Sequence, residues 1–214
     1  MQFLPEDIYK YTVEHTQEEP EVLKELDRDT HLNVLMPRMI SGHLMGRVLA
    51  MLSKMIRPKF ILEVGTYTGY SAICFAEGLQ ENGHIFTIDK NEEIEEMAER
   101  YIEKAGLNDR ITRIQGVASE VIPTLNNKWD IVFLDADKKN YDLYYDQVFE
   151  NVNKGGFILV DNVLWSGKVV GMHGKKIDSD TRAIMDFNER VHNDERVENV
   201  LFPIRDGLMV LRKK

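Results

Sequence analysis

Cysteine is nearly absent: the single Cys74 has no second thiol with which to form an internal bridge. Folding must rest on a hydrophobic core, and 214 residues supply one, since a chain of this size buries roughly 70% of its unfolded surface. Together with 10 Met, the lone thiol points to a reducing, cytoplasmic setting. Basic charge is also short, with 27 Lys and Arg against 36 Asp and Glu, a net of −9. That balance disfavours broad binding to nucleic acid or to an anionic membrane, which calls for a basic face, and leaves room only for a local basic patch. Long apolar runs are missing too. None reaches the roughly 18 residues of a membrane span, and MQFLPEDIYKYTVEH is broken by acids and a proline where a signal peptide needs a continuous apolar stretch. The 6 His, at 15, 31, 43, 84, 173 and 192, are scattered, which leaves no zinc cluster. Without repeats, low-complexity tracts or a Gly/Ser/Pro-rich linker, one domain is expected over 1–214, a helical segment 1–57 preceding an α/β core 58–214.

What is present is the composition of a folded globular protein, 43% apolar and 29% charged. Leu44, Val48, Leu49, Leu52 and Ile56 follow the spacing of one helix face, and Pro5, Pro20 and Pro37 separate shorter helices. From Lys59 onward, apolar runs alternate with helical patterns: FILEVG (60–65), HIFTID (84–89), RITRIQG (110–116), WDIVFLDA (129–136) and GFILVDN (156–162). Near-continuous apolar centres mark parallel strands covered on both faces, so the pattern predicts right-handed βαβ units and a doubly wound α/β sheet. VENVLFPI (197–204) and GLMVLRK (207–213) close the chain as an antiparallel hairpin, which brings the strand count to seven in a mostly parallel sheet. Helix 92–103 is read as a solvated face with i,i+4 pairs and no function.

Ligands of such sheets bind beyond the carboxyl ends of the strands. Four of those five ends carry a carboxylate: Glu63, Asp89, Asp135 and Asp161. Gly65 and Gly69 in ILEVGTYTGYSA allow a tight turn and close approach of backbone to a ligand, but their spacing is neither the dinucleotide nor the phosphate-loop pattern. Glu63 would repel a pyrophosphate and suits hydroxyls or the amino group of a cationic cofactor. Asp89 can accept both hydroxyls of a ribose, or merely cap the helix that begins beyond it. Asp135, Asp161 and Asn162 offer three oxygens suited to Mg²⁺, Mn²⁺ or Ca²⁺, or serve only as strand-ending caps. Lys138, three residues past Asp135, is a candidate base for a hydroxyl, because a neighbouring cation favours its neutral amine; Lys139 is the better candidate for a solvated lysine, but the residues alone do not separate the pair. Tyr141, Tyr144, Tyr145 and Trp165 could wall a flat aromatic substrate, while helix-face core packing fits the tyrosines equally well.

The motifs LEVGTYTGYSA, TIDK, FLDADKKNY, DNVLWSGKV and PIRDGLMV, in that order from about Met36 onward, resemble those of the cation-dependent O-methyltransferases, the family of catechol and caffeoyl-CoA O-methyltransferases. The resemblance implies the class I methyltransferase fold, Rossmann-like with N-terminal helices. It implies an S-adenosylmethionine pocket at Met39, Ser41, Glu63, Gly65, Thr66, Ser71, Asp89, Ala118, Asp135 and Asp137. It also implies metal ligands Asp135, Asp161 and Asn162, a catalytic Lys138 beside Asp135, and Trp165 with Lys138 at the acceptor. Methyl transfer to a small phenolic vicinal diol follows, with Mg²⁺ the first choice of cation, and so does a homodimer. Two departures stand out: Val117 replaces an acid common among relatives, and the plant-type N-terminal arm for a CoA ester is not recognisable. Two alternatives stay open. One is methylation of a hydroxylated uridine in tRNA, served by a patch at Lys54, Arg57 and Lys59 or at Lys168, Lys175 and Lys176. The other is a non-catalytic nucleoside-binding protein.

Overall fold

In the computed structural model, which describes residues 5–174 and 177–214, three helices lead the chain: α1 (Glu6–Glu14), α2 (Glu21–Asn33) and α3 (Gly42–Ile56). Strands and helices then alternate: β1 (Phe60–Val64), α4 (Tyr70–Ala76), β2 (His84–Asp89), α5 (Glu95–Lys104), β3 (Ile111–Gln115) and α6 (Ala118–Val121). The remainder is β4 (Trp129–Leu134), α7 (Tyr141–Phe149), β5 (Val152–Asp161), α8 (Ser179–His192), β6 (Val197–Phe202) and β7 (Leu208–Lys213). The seven strands take the order β3-β2-β1-β4-β5-β7-β6. This is the expected doubly wound sheet, parallel but for the C-terminal hairpin. No helix among the described residues is long and apolar enough to cross a membrane.

The chain divides into two compact units, Lys10–Ala118 and Ser119–Lys214, the latter with the first described residues up to Tyr9. In Lys10–Ala118, β1 pairs with β2 and β2 with β3, all parallel, with Glu63 in register with Thr87. All seven residues of α4 are buried, which is why its sequence is apolar on every side. The packed face of α3 is Met45, Gly46, Leu49, Ala50 and Ser53, rotated from the expected stripe, so that Leu44, Val48, Leu52 and Ile56 lie half-buried beside it. Small residues win the centre because α4 comes close: Ser53 Oγ donates to the Phe75 carbonyl at 2.6 Å. Cys74 lies fully buried here with the Arg47 guanidinium 3.6 Å from its sulfur, and burial pushes its thiol up to about 12. On α5 the basic residues lie over the Tyr101 ring of their own helix but take their acidic partners from another. Arg100 and Lys104 reach Asp29 and Glu25 of α2, which corrects the expected i,i+4 pairing.

In Ser119–Lys214, β5 runs parallel to β4 and antiparallel to β7, and β6 closes the edge. Helices α7 and α8 pack together, the Tyr141 and Phe187 rings meeting edge-on at 5.6 Å. The three tyrosines of α7 are buried, so core packing, not a substrate wall, is what they supply.

Candidate active site

In the Lys10–Ala118 unit, the loop after β1 takes backbone that L side chains avoid, with φ of 108° at Gly65 and 88° at Gly69. Gly65 N–H bonds the Ile88 carbonyl and Gly69 N–H the Thr66 carbonyl, each at 2.9 Å, which closes the turn over the ends of β1 and β2. Glu63 is fully buried beneath it. Thr87 donates to Glu63 Oε2 and meets the Thr66 hydroxyl at 2.6 Å, so Thr66, Thr87 and Glu63 form one relay. Asp89 is held from two sides, by Tyr67 N–H on Oδ2 at 2.7 Å and Asn91 N–H on Oδ1 at 2.9 Å. Each of its oxygens keeps a lone pair for a further donor. Tyr67 also ties the preceding segment to this turn, its hydroxyl donating to the Met36 carbonyl at 3.0 Å. Beyond it Met39 is exposed and Ser41 buried at the start of α3. Ser71 is buried on α4, and Gly116 N–H bonds the Asp89 carbonyl at 2.9 Å, two residues before Ala118.

In the Ser119–Lys214 unit, Leu134 is in register with Val160, which leaves Asp135 and Asp161 at adjacent strand ends. Asn162 turns the chain with a left-handed φ of 66°. Its side-chain amide donates to Asp135 Oδ1 and its backbone N–H to Asp161 Oδ1, both at 2.7 Å. Asp161 is 7% exposed, and burial together with the Asp135 anion pushes its carboxyl up to about 7, with Asn162 N–H, Arg205 and Lys138 pulling the other way. Two crowded carboxylates and a side-chain amide are an oxygen-donor set for a hard divalent cation, whose charge would relieve that repulsion; the residues fit the group. Among the described residues no three His, Cys, Asp or Glu side chains gather into a metal-binding group, so the amide is needed to complete the set.

The two lysines separate cleanly. Lys138 is 16% exposed, 3.5 Å from Asp135 Oδ1, and donates to the Ala136 carbonyl at 2.8 Å. Lys139 is 64% exposed and pairs with Asp180. Trp165 has Lys138 and Lys168 over its indole at 5.5 and 5.4 Å. Asp137 accepts the Tyr144 hydroxyl at 2.6 Å and the Asn140 amide, so its carboxylate is tied to α7. Sequence reasoning misses Thr87, which the strand register sets beside Glu63, and Asn188 and Arg205 around Asp161; it names Tyr141, but for a substrate wall or core packing and not for its place beside Asp161. Tyr141 O–H donates to the Asp161 carbonyl at 3.0 Å, and Asn188 Nδ2 to the Val163 carbonyl at 2.8 Å. No periodicity or motif marks a helix-borne Asn for such a role.

The lysines of the alternative basic patch are largely engaged. Lys54 pairs with Glu77 and Lys168 with Asp178, each at 2.8 Å, and Lys59 lies over Phe60 at 5.3 Å. Lys175 and Lys176 lie outside the described residues.

Comparison with known proteins agrees with this architecture. The O-methyltransferase family model matches residues 13–214. Caffeoyl-CoA O-methyltransferase 1 of Arabidopsis thaliana is 34% identical over 220 residues, covering 97% of this chain and 85% of that protein. Caffeoyl-CoA O-methyltransferase of Populus kitakamiensis is 38% identical over 180 residues, covering 78% and 75%. Among solved structures, the SAH-bound methyltransferase PaMTH1 of Podospora anserina superposes with a TM-score of 0.91 at 25% identity, covering 100% of this chain and 99% of that one. The O-methyltransferase of Bacillus cereus in complex with SAH gives 0.87 at 25% identity, with 97% of each chain covered. The chain belongs to the O-methyltransferase family.

Proposed function

We propose that this chain transfers a methyl group from S-adenosylmethionine to one hydroxyl of a small catechol-like vicinal diol, with a divalent cation, Mg²⁺ first, held by Asp135, Asp161 and Asn162. The observation that carries the reading is the cluster of those three donors with a half-buried Lys138. SAH in two solved relatives supports the cofactor, and the caffeoyl group in the names of the curated relatives is itself a vicinal diol. Glu63, within its Thr87–Thr66 relay, and the doubly anchored Asp89 are the carboxylates suited to the amino group and ribose hydroxyls of the cofactor.

When bound, S-adenosylmethionine supplies a methyl carbon activated by its sulfonium, and the cation supplies Lewis acidity toward a phenol whose ordinary pKa is near 10. Lys138 Nζ would receive the proton of the reacting hydroxyl, whose oxygen would take the methyl group, while Glu63 and Asp89 would hold the S-adenosylmethionine that supplies it. Asp135 orients that amine through their 3.5 Å contact, and Trp165 offers a flat face for the acceptor ring. The remainder of the catalysis is positioning, worth up to about 7–11 kcal/mol in ideal cases.

The test is methyl transfer from labelled S-adenosylmethionine to catechol, caffeate, a monophenol and bulk tRNA, each with Mg²⁺ and with EDTA. Labelling of the diols in Mg²⁺, abolished by EDTA, is expected. Equal labelling of the monophenol, or labelling that survives EDTA, would overturn the reading, and labelling of tRNA would move the function to RNA.

A further inference from the structure

The Asp161–Asn162–Val163 turn is gripped from outside by two side chains, of which Tyr141 also lies under the Lys138 ammonium, 5.7 Å from its ring centroid. Tyr141, fully buried on α7, donates its hydroxyl to the Asp161 carbonyl at 3.0 Å. Asn188 on α8 donates its amide to the Val163 carbonyl at 2.8 Å. Val163 N–H meanwhile bonds the Gly207 carbonyl at 3.2 Å, so the peptides on both sides of Asn162 are held. The holding helices are themselves locked. Phe187, the neighbour of Asn188, is fully buried and meets the Tyr141 ring edge-on. Asn162 takes a left-handed φ of 66°, a conformation that Asn adopts more readily than other side-chain-bearing residues.

Asn188 carries a further sign of purpose. Its Oδ1 is buried and, among the described residues, has no hydrogen-bond partner. An unsatisfied buried acceptor costs stability, whereas a leucine of similar size would bring no such cost. The amide is therefore of use for its donor end alone, the end that faces Val163.

The geometry points to Tyr141 and Asn188 as paired positioning residues that aim the Asn162 side chain at Asp135 and so set the affinity of this cluster for a divalent cation. The inference rests on the proposed cation site. Outer partners that orient metal ligands typically change affinity by about 10–100-fold when removed. Both helices act on one turn, Tyr141 on the Asp161 carbonyl and Asn188 on the Val163 carbonyl, so loss of either donor removes one of its outer holds.

The test needs no turnover. Free Mn²⁺ is followed by electron paramagnetic resonance during titration of the parent chain, Tyr141→Phe and Asn188→Leu, and SAH affinity is measured calorimetrically on the same samples. Each variant is expected to weaken Mn²⁺ binding about 10-fold or more, with SAH affinity unchanged. Tyr141→Phe keeps the ring packing and guards against a folding defect in Asn188→Leu, and melting temperatures identify any such defect. Variants that bind Mn²⁺ like the parent would overturn the positioning role. A parent that binds SAH but no Mn²⁺ would overturn the cation site itself, and this inference with it.

Discussion

At the scale of single residues, neighbouring lysines receive opposite fates from the chain's course after β4. The short turn 138–140 brings Lys138 back over Asp135 and sends Lys139 toward Asp180. Lys138→Met is expected to lower kcat by about 10²–10⁴-fold, the range for a lost general base, while SAH affinity measured by calorimetry stays the same. Lys139→Met should leave turnover within about 2-fold, since surface ion pairs contribute little. A Lys138→Met enzyme with parental kcat would remove this residue from the chemistry. Thr87→Val takes the hydroxyl from the relay beneath the glycine turn, with an expected stability loss of about 1–3 kcal/mol and weaker SAH binding, read from melts and calorimetry. The carboxylates at the strand ends were legible in the sequence because each follows an apolar run that can only be a strand. Thr87 was not, since a threonine inside such a run is ordinary until the register sets it beside Glu63.

At the scale of elements, close packing of α3 on α4 makes its own demand. A Cβ at Gly78 would fall 2.1 Å from the Ser53 carbonyl carbon and 2.3 Å from the Lys54 nitrogen, both backbone atoms that cannot turn aside. Gly78→Ala is expected to cost about 3 kcal/mol, visible as a lower denaturation midpoint at unchanged slope. In the other unit, the Arg196 guanidinium, with help from the Tyr145 hydroxyl, holds the Asp194 carboxyl well below the usual carboxylate range, tying α7 to the turn before β6. A depressed carboxyl stabilises the fold above its unfolded value near 4, and that share is lost as pH falls toward the folded value. Asp194→Asn should therefore melt below the parent at about pH 7, with the gap narrowing only as pH falls below about 4 and closing toward the depressed folded value; a gap that stays constant would contradict the linkage. Strand positions were read from the sequence to within a few residues because burial on both faces leaves a plain apolar signature. The helix segments 141–149 and 179–192 gave less. YDLYYDQVF is aromatic on several sides, and the role of α8 depends on a partner 25 residues upstream, Val163, rather than on any local pattern. The cross-helix pairs of α5 were hidden for the same reason, since i,i+4 spacing cannot reveal acids on α2.

At the scale of the whole molecule, an excess of 36 acids over 27 bases accords with a small-molecule acceptor better than with a polyanion. A ligand that binds only the folded chain raises its stability by mass action. SAH at about 100 times its Kd should add about 2.7 kcal/mol, a rise of about 5–10 °C in melting temperature for a chain of this length. No shift with SAH would count against the cofactor. The solitary thiol adds a use of its own. Cys74 is sealed against solvent between α3 and α4, protonated at any ordinary pH, and the only sulfhydryl in the chain. A colorimetric disulfide reagent can reach it only when Lys10–Ala118 opens, so the native protein should react at the rate of that opening. The molecule thus carries a built-in clock for its own unfolding, readable without a label and slowed by whatever ligand holds that unit shut.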